Sequence, residues 1–285
     1  MSNTVFKNRV ITQDFLTNWP ASVNSIDNYQ FTDGWTLDPA LNGEIRIPDC
    51  IYYIGSNPFP STTTKVILGA NVYEINQMPP NLNEIVFNNN IAFLNMSTFA
   101  NTKITSIILP DTVRELNKDS IFQNCSRLTT VVLHNKLVDI SGNNIFKDCT
   151  NLATITGIEN LKIIGLYTFN KCSSLPSVLN LPVIETLGQH AFQECNSLVT
   201  VNIGPELEKL DGQAFSMCDS LTTVNIGDAN AINSLTNIVS NAFAYSPNLT
   251  TINIYAPKSQ VTTASSAPWG ATNATVNWLH PDDQV

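Results

Sequence analysis

The sequence predicts a solenoid: a parallel β ladder with irregular or short-helical return segments, capped at both ends. Three observations carry this. Phenylalanine recurs at Phe99, Phe122, Phe146, Phe169, Phe192, Phe215 and Phe243, at spacings of 23, 24, 23, 23, 23 and 28 residues. Three residues after each of the middle five stands a cysteine (Cys125, Cys149, Cys172, Cys195, Cys218), with Thr102 and Ser246 there in the first and last copies. Each copy then enters a short alternation, such as Leu128-Thr-Thr-Val131-Val-Leu133 or Leu221-Thr-Thr-Val224-Asn-Ile226.

Alternation with period two is the pattern of a half-buried strand. One short strand per repeat cannot bury its apolar face alone, so successive copies stack, with about 4.8 Å between rungs. Taken in chain order, residues 1–43 do not fit the repeat. They hold Trp19 and Trp35, and "FTDGWT" carries an Asp-Gly hairpin signal. A cap is their simplest role, but a cap needs only one rung of chain. A docking segment is therefore expected, with Trp19 and Trp35 as anchors for a protein partner in a larger assembly.

Residues 44–257 form the solenoid proper. "EIRIP" at 44–48, "KVILG" at 65–69 and "LNEIVF" at 82–87 open it with shorter spacers. Gly157 and Asn180 stand where other copies have a third inward aliphatic, which predicts a shortened or bulged strand in those two rungs. Residues 258–285 form a capping rung and tail. There "ATVNWL" repeats "TTINIY" 24 residues on, with Trp278 at an inward position as a lid. Eleven rungs predict a rod on the order of 50 Å long.

Composition narrows the function. Charged residues make up 13% of the chain, against about 25% in ordinary globular proteins. The net charge is −9 with no basic run, which argues against nucleic acid, whose phosphates need Lys and Arg. No stretch approaches the roughly 20 apolar residues of a membrane span, so no membrane insertion is expected. The first twenty residues lack the apolar core and cleavage site of a signal peptide. His134, His190 and His280 are scattered in the repeat frame, with no carboxylate or nucleophile recurring beside them, and no phosphate-binding loop is present. The expectation is no enzyme, no cofactor and no metal. A linear ladder cannot wrap thiolates around zinc, and there is no CxxC. The repeated cysteines read as small buried filler rather than rung-to-rung disulfides, because their side chains point the same way.

Two outward columns flank the inward strand residues. One reads Ser106, Thr130, Thr154, Ser177, Thr200, Thr223, Thr251; the other Ile108, Val132, Thr156, Leu179, Asn202, Asn225, Asn253, Asn277. Taken as the concave face, Thr130, Thr154, Thr200, Asn202, Thr223, Asn225, Thr251 and Asn253 form a neutral surface suited to a host-surface protein or glycan. The other reading is structural: Thr favours strands, and Asn ladders stabilise stacked rungs. Few aromatics stand on this face to hold a sugar.

The phrase "IGxxxFxxCxxLxxVxI" stands here as Ile164-Gly165…Phe169…Cys172…Leu175…Val178 and Leu187-Gly188…Phe192…Cys195…Leu198…Val201-Asn-Ile203. It resembles the BspA-type class of leucine-rich repeat, over roughly residues 44–279. The resemblance implies a leucine-rich-repeat solenoid serving as a binding or adhesion surface on bacteria, microbial eukaryotes or some phage particles, with no chemistry of its own. With Met1 opening the sequence and no leader, the first expectation is a recognition module on a virion, such as a phage tail or head appendage. A bacterial or protist surface or secreted adhesin is the second, and a purely structural decoration protein the third.

Overall fold

A computed structural model describes residues 10–18, 25–26, 36–56 and 59–284. Trp19 and Trp35 lie outside them. Among the described residues, eleven strands form one long ladder running through three parallel sheets, in about ten turns. The strands are Glu44–Arg46, Lys65–Ile67 and Glu84–Val86; then Ser106–Ile108, Thr130–Val132 and Thr154–Thr156; then Val178–Leu181, Thr200–Ile203, Thr223–Ile226, Thr251–Ile254 and Thr275–Trp278. Register is exact down the last sheet: Val201, Val224, Ile252 and Val276 are successive partners. These columns and the leucines before them build one continuous core.

A second ladder, one short strand per turn, lies on another wall. Its rungs are Ser25–Ile26, Tyr53–Ile54, Glu74–Ile75 and Phe93–Leu94, and later Asp139–Ile140, Ile163–Ile164, Thr186–Leu187, Lys209–Leu210 and Asn237–Ile238. The sequence reading had one strand per repeat; the fold has two. Glycine directly follows the strands that end at Ile164 and Leu187. A Cβ on Gly165 would sit 2.4 Å from the Gly142 carbonyl oxygen, so only bare backbone fits between rungs. Ser25–Ile26 pairs with Tyr53–Ile54, so part of the N-terminal segment adds a rung to this ladder.

The third wall carries the phenylalanines. Their rings form a spine, with centroids 5.1 Å apart and planes 2° apart for Phe122 and Phe146. Left-handed residues flank each ring from Phe99 to Phe215, as Tyr167 (φ 55) and Lys171 (φ 62) flank Phe169. They turn successive N–H groups along the solenoid axis. Tyr167, Phe169 and Lys171 thus donate to the carbonyls of Gln189, Ala191 and Gln193 at 3.1, 2.8 and 2.8 Å. That bonding offsets the steric cost of the left-handed backbone.

Neither of the two rungs expected to be shortened or bulged is so. Gly157, at φ 85, ends its strand at Thr156 and leads into a 3-10 turn over Ile158–Asn160, yet the strand keeps three residues in register, as many as its partners Ser106–Ile108 and Thr130–Val132. The Asn180 strand, Val178–Leu181, has four residues in full register with Thr200–Ile203. The extra residue is absorbed before the strand, at Pro176-Ser177. Leu179 therefore points inward at 4% exposure, and Ser177 and Leu179 leave the outward columns in favour of Val178 and Asn180. The register that the columns assumed would have buried Asn180, since a one-residue slip exchanges the two faces of a strand.

The C-terminal end also differs. Trp269, fully buried, closes the phenylalanine spine, accepting the Phe243 N–H at 3.1 Å and donating its indole N–H to the Thr263 carbonyl at 3.0 Å. Trp278 is only half-buried and meets Trp269 edge-on, centroids 6.3 Å apart. The lid is a pair.

Candidate functional site

The outward face of the long ladder changes along its length. Its first rungs are charged: Lys65 bridges Glu44 and Glu84 at 3.4 and 3.2 Å, and Arg46 meets Glu44 at 3.1 Å. The middle rungs expose Val86 and Ile108. The last five carry asparagine at one register position: Asn180, Asn202, Asn225, Asn253 and Asn277.

These asparagines bond to one another. The Asn202 amide donates to the Asn180 side-chain oxygen at 2.7 Å, Asn225 to Asn202 at 2.7 Å, Asn253 to Asn225 at 2.8 Å, and Asn277 to Asn253 at 2.8 Å. Each interior amide thus spends one N–H and one lone pair on its neighbours. One N–H and one lone pair remain for a ligand. Beside them runs the hydroxyl column Thr200, Thr223, Thr251 and Thr275, in register on the same face. Ser106, Thr130 and Thr154 hold the same outward position in the preceding sheet, and Val178 separates them from Thr200. All eight candidate residues of the sequence reading point outward on this ladder; Asn180 and Asn277 complete the asparagine row.

A shallow groove of about 210 Å³ borders the row, lined by Asn180, Asn202, Pro182, Gly204, Pro205 and Asp228. The longer spacing before Phe243 is a loop beside it. Asn233, 6% exposed, donates to the carbonyls of Asp228, Ala231 and Tyr255, so the loop is held firmly. Its neighbour Ile232 is 94% exposed.

The five cysteines of the repeat are free thiols and fully buried. They are more than filler. Each Sγ donates to the phenylalanine carbonyl of the preceding turn, at 3.0 Å from Cys125 to Phe99 and 3.1 Å from Cys149 to Phe122, continuing through Cys172, Cys195 and Cys218. Ser246 does the same to Phe215 at 3.0 Å, and the Thr102 hydroxyl reaches the Phe99 carbonyl of its own turn at 2.8 Å. The position requires a small donor, which Cys, Ser and Thr share. Those two exceptions were the signal in the sequence.

The histidines stay apart. The His134 ring meets the Val113 carbonyl at 2.7 Å, and His190 stacks on Tyr167 with centroids 4.4 Å apart. His280 caps the 3-10 turn Pro281–Asp283. Among the described residues, no helix is long and apolar enough to cross a membrane. The arrangement can present a broad, neutral, rigid surface.

Comparison with known proteins agrees with this geometry. A family profile described as "BspA type Leucine rich repeat region" matches in six copies, over residues 1–125, 78–176 and 140–267. A search of curated proteins finds no match. Among solved structures, a leucine-rich repeat protein from Bacteroides ovatus is similar at 20% identity and a TM-score of 0.60, with 91% of this chain and 70% of that chain covered. A leucine rich cell surface protein from Faecalibacterium prausnitzii matches at 20% identity and TM-score 0.43, covering 90% of this chain and 83% of that one. The pneumococcal vaccine antigen PcpA matches at 16% identity and TM-score 0.49, covering 91% and 78%. At such identities the likeness is one of fold.

Proposed function

The chain belongs to the BspA-type leucine-rich repeat family, and from that premise we propose that it is a non-enzymatic recognition scaffold displayed at a cell surface. Its contact face is the outward side of the long ladder, engaging a host-surface protein or glycan. The observation that carries this reading is the asparagine row beside its threonine column. Five amides locked to one another present a flat, uncharged grid, preorganised so that little ordering entropy is lost on binding. Family membership favours a surface adhesin over a virion component. The virion reading leaned on the first residue of the chain, which says nothing of what the chain docks to. Residues 1–43, with Trp19 and Trp35, serve in this proposal as the attachment to the rest of the displayed assembly.

The contact face is tested through its threonines, whose replacement leaves the amide row intact. Beads coated with the chain are scored for attachment to cultured cells. The Thr200→Lys, Thr223→Lys, Thr251→Lys triple variant should lose attachment while keeping its circular dichroism and urea midpoint. Undiminished attachment would make the face scaffold. The docking role is tested by Trp19→Ala and Trp35→Ala rather than by deletion, because Ser25–Ile26 is a rung of the second ladder. The double variant should detach from its assembly yet remain folded.

A further inference from the structure

The second ladder departs from its own pattern at one end. On its later rungs the outward positions are charged, polar or aliphatic: Val138 and Asp139, Lys162 and Ile163, Glu185 and Thr186, Glu208 and Lys209, Thr236 and Asn237. On three consecutive early rungs the same positions carry Tyr52 and Tyr53, Tyr73 and Glu74, then Ala92 and Phe93. Tyr52, Tyr73 and Phe93 are 45%, 43% and 53% exposed. Their backbones are neighbours, since the Tyr73 N–H donates to the Tyr52 carbonyl and the Phe93 N–H to the Tyr73 carbonyl, both at 3.0 Å; Tyr73 follows Tyr52 in one column and Phe93 follows Glu74 in the next. Large aromatic side chains are normally drawn inside or into interfaces, and this fold buries its seven spine phenylalanines completely.

Polar groups are fixed among these rings. Glu74 lies in register between Tyr53 and Phe93. The Asn95 amide donates to Glu74 Oε1 at 2.7 Å and to Asn76 Oδ1 at 2.6 Å, and the Asn76 amide donates to the Tyr53 hydroxyl. A cleft of about 350 Å³ continues from them past Ser56, Gln77 and Lys118. Glu74 Oε2 and Asn95 Oδ1 keep acceptor capacity that this network does not use.

We propose that Tyr52, Tyr73 and Phe93, with Glu74, Asn76 and Asn95, form a binding site for a neutral polysaccharide. A pyranose has an apolar C–H face and a rim of hydroxyls. The rings take the face, and the carboxylate and amides take the rim. An apolar protein surface laid over the same patch would desolvate Glu74 with the Asn95 amide as its one donor in this network, leaving Oε2 unsatisfied; sugar hydroxyls satisfy it. An anionic polysaccharide is disfavoured by that carboxylate and by the net charge of −9. The site is independent of the long-ladder face and gives the scaffold a second surface, on a different wall.

The test is affinity electrophoresis of the full chain through native gels containing laminarin, amylose, mannan or xylan, with alginate as the anionic control. At least one neutral gel should retard the protein and alginate should not. The Tyr52→Ala, Tyr73→Ala double variant and Phe93→Ala should each weaken retardation about tenfold or more, with unchanged circular dichroism. Phe93→Tyr should retain it, because the ring face remains. The triple lysine variant of the threonine column should bind polysaccharide like the parent, so loss of cell attachment there and loss of polysaccharide here are separate results. The proposal is overturned if no neutral gel retards the parent, if the ring variants bind normally, or if only the threonine variant loses binding.

Discussion

Cys195 Sγ donates to the carbonyl oxygen of Phe169, one turn back, at 3.1 Å. That oxygen also accepts the Cys172 N–H at 3.0 Å, so it is a shared acceptor between two turns. Removing the thiol leaves it one partner. Cys195→Ala should therefore cost about 1 kcal/mol for the lost bond and the small void, at the low end for a buried site. Cys195→Ser keeps a donor where Ser246 already works, and should cost less than Cys195→Ala. Urea unfolding of both variants decides it; equal losses would reduce the position to volume alone.

Burial also sets how these thiols titrate. Desolvation holds Cys195 well above its ordinary value of 9.0 and pushes Cys218 up to about 12. The folded chain therefore keeps these protons to higher pH than the unfolded chain does. The stability this contributes is full below pH 9.0 and is lost as pH rises from there toward about 12. The urea midpoint should fall between about pH 9 and about pH 10.5, and less steeply in Cys195→Ser, which has one fewer such group. A midpoint flat across that range would contradict the burial of the ladder.

The asparagine row makes a pH prediction of opposite direction. Asn225→Asp keeps the oxygen that Asn253 donates to, but loses the N–H that Asn202 accepts. At neutral pH a carboxylate oxygen then faces an amide oxygen, for a loss of about 1 kcal/mol at this half-exposed position. Below about pH 4 the acid is protonated and can donate again. The gap in urea midpoint between variant and parent should narrow on acidification. A constant gap would mean that the row contributes no directed bond.

Rung contact at the second ladder is tested by two alanines. Gly165→Ala would place Cβ within 2.4 and 2.5 Å of the Gly142 and Ser141 carbonyl oxygens, so two turns must part, costing about 1–3 kcal/mol. Gly212→Ala would meet side chains and no backbone, the nearest atom being the Asn241 side-chain oxygen at 3.1 Å, which can shift. Thermal unfolding should show a clear drop for the first and little for the second.

The repeat was legible because phenylalanine, leucine and the strand aliphatics are read by burial, and burial leaves a period in the sequence. What escaped was set by backbone contact or by position in three dimensions. The second ladder has two-residue rungs, too short for an alternation to register, and only the glycines after Ile164 and Leu187 hint at it. Spacing from Cys172 places Leu179 outward, whereas the aliphatic pair Leu179 and Leu181 sets the register and turns it inward. Trp269 fills the end of the spine without sharing the residue type of the spine. The asparagine column was visible, but not that its members hold one another. The exposed tyrosines lie in the early rungs, where irregular spacers define no outward column.

The asparagine row has a sign. Every amide in it points its N–H toward Asn180 and its C=O toward Asn277, so the side-chain dipoles add instead of cancelling. The two ends of the row are chemically unlike: one offers hydrogen, the other a lone pair. A repeat copied into the middle of the row would inherit both partners and propagate it. A foreign strand laid against Thr275–Trp278 would extend it only by bringing a donor to Asn277. The solenoid can thus lengthen by duplication while remaining selective about what joins its end.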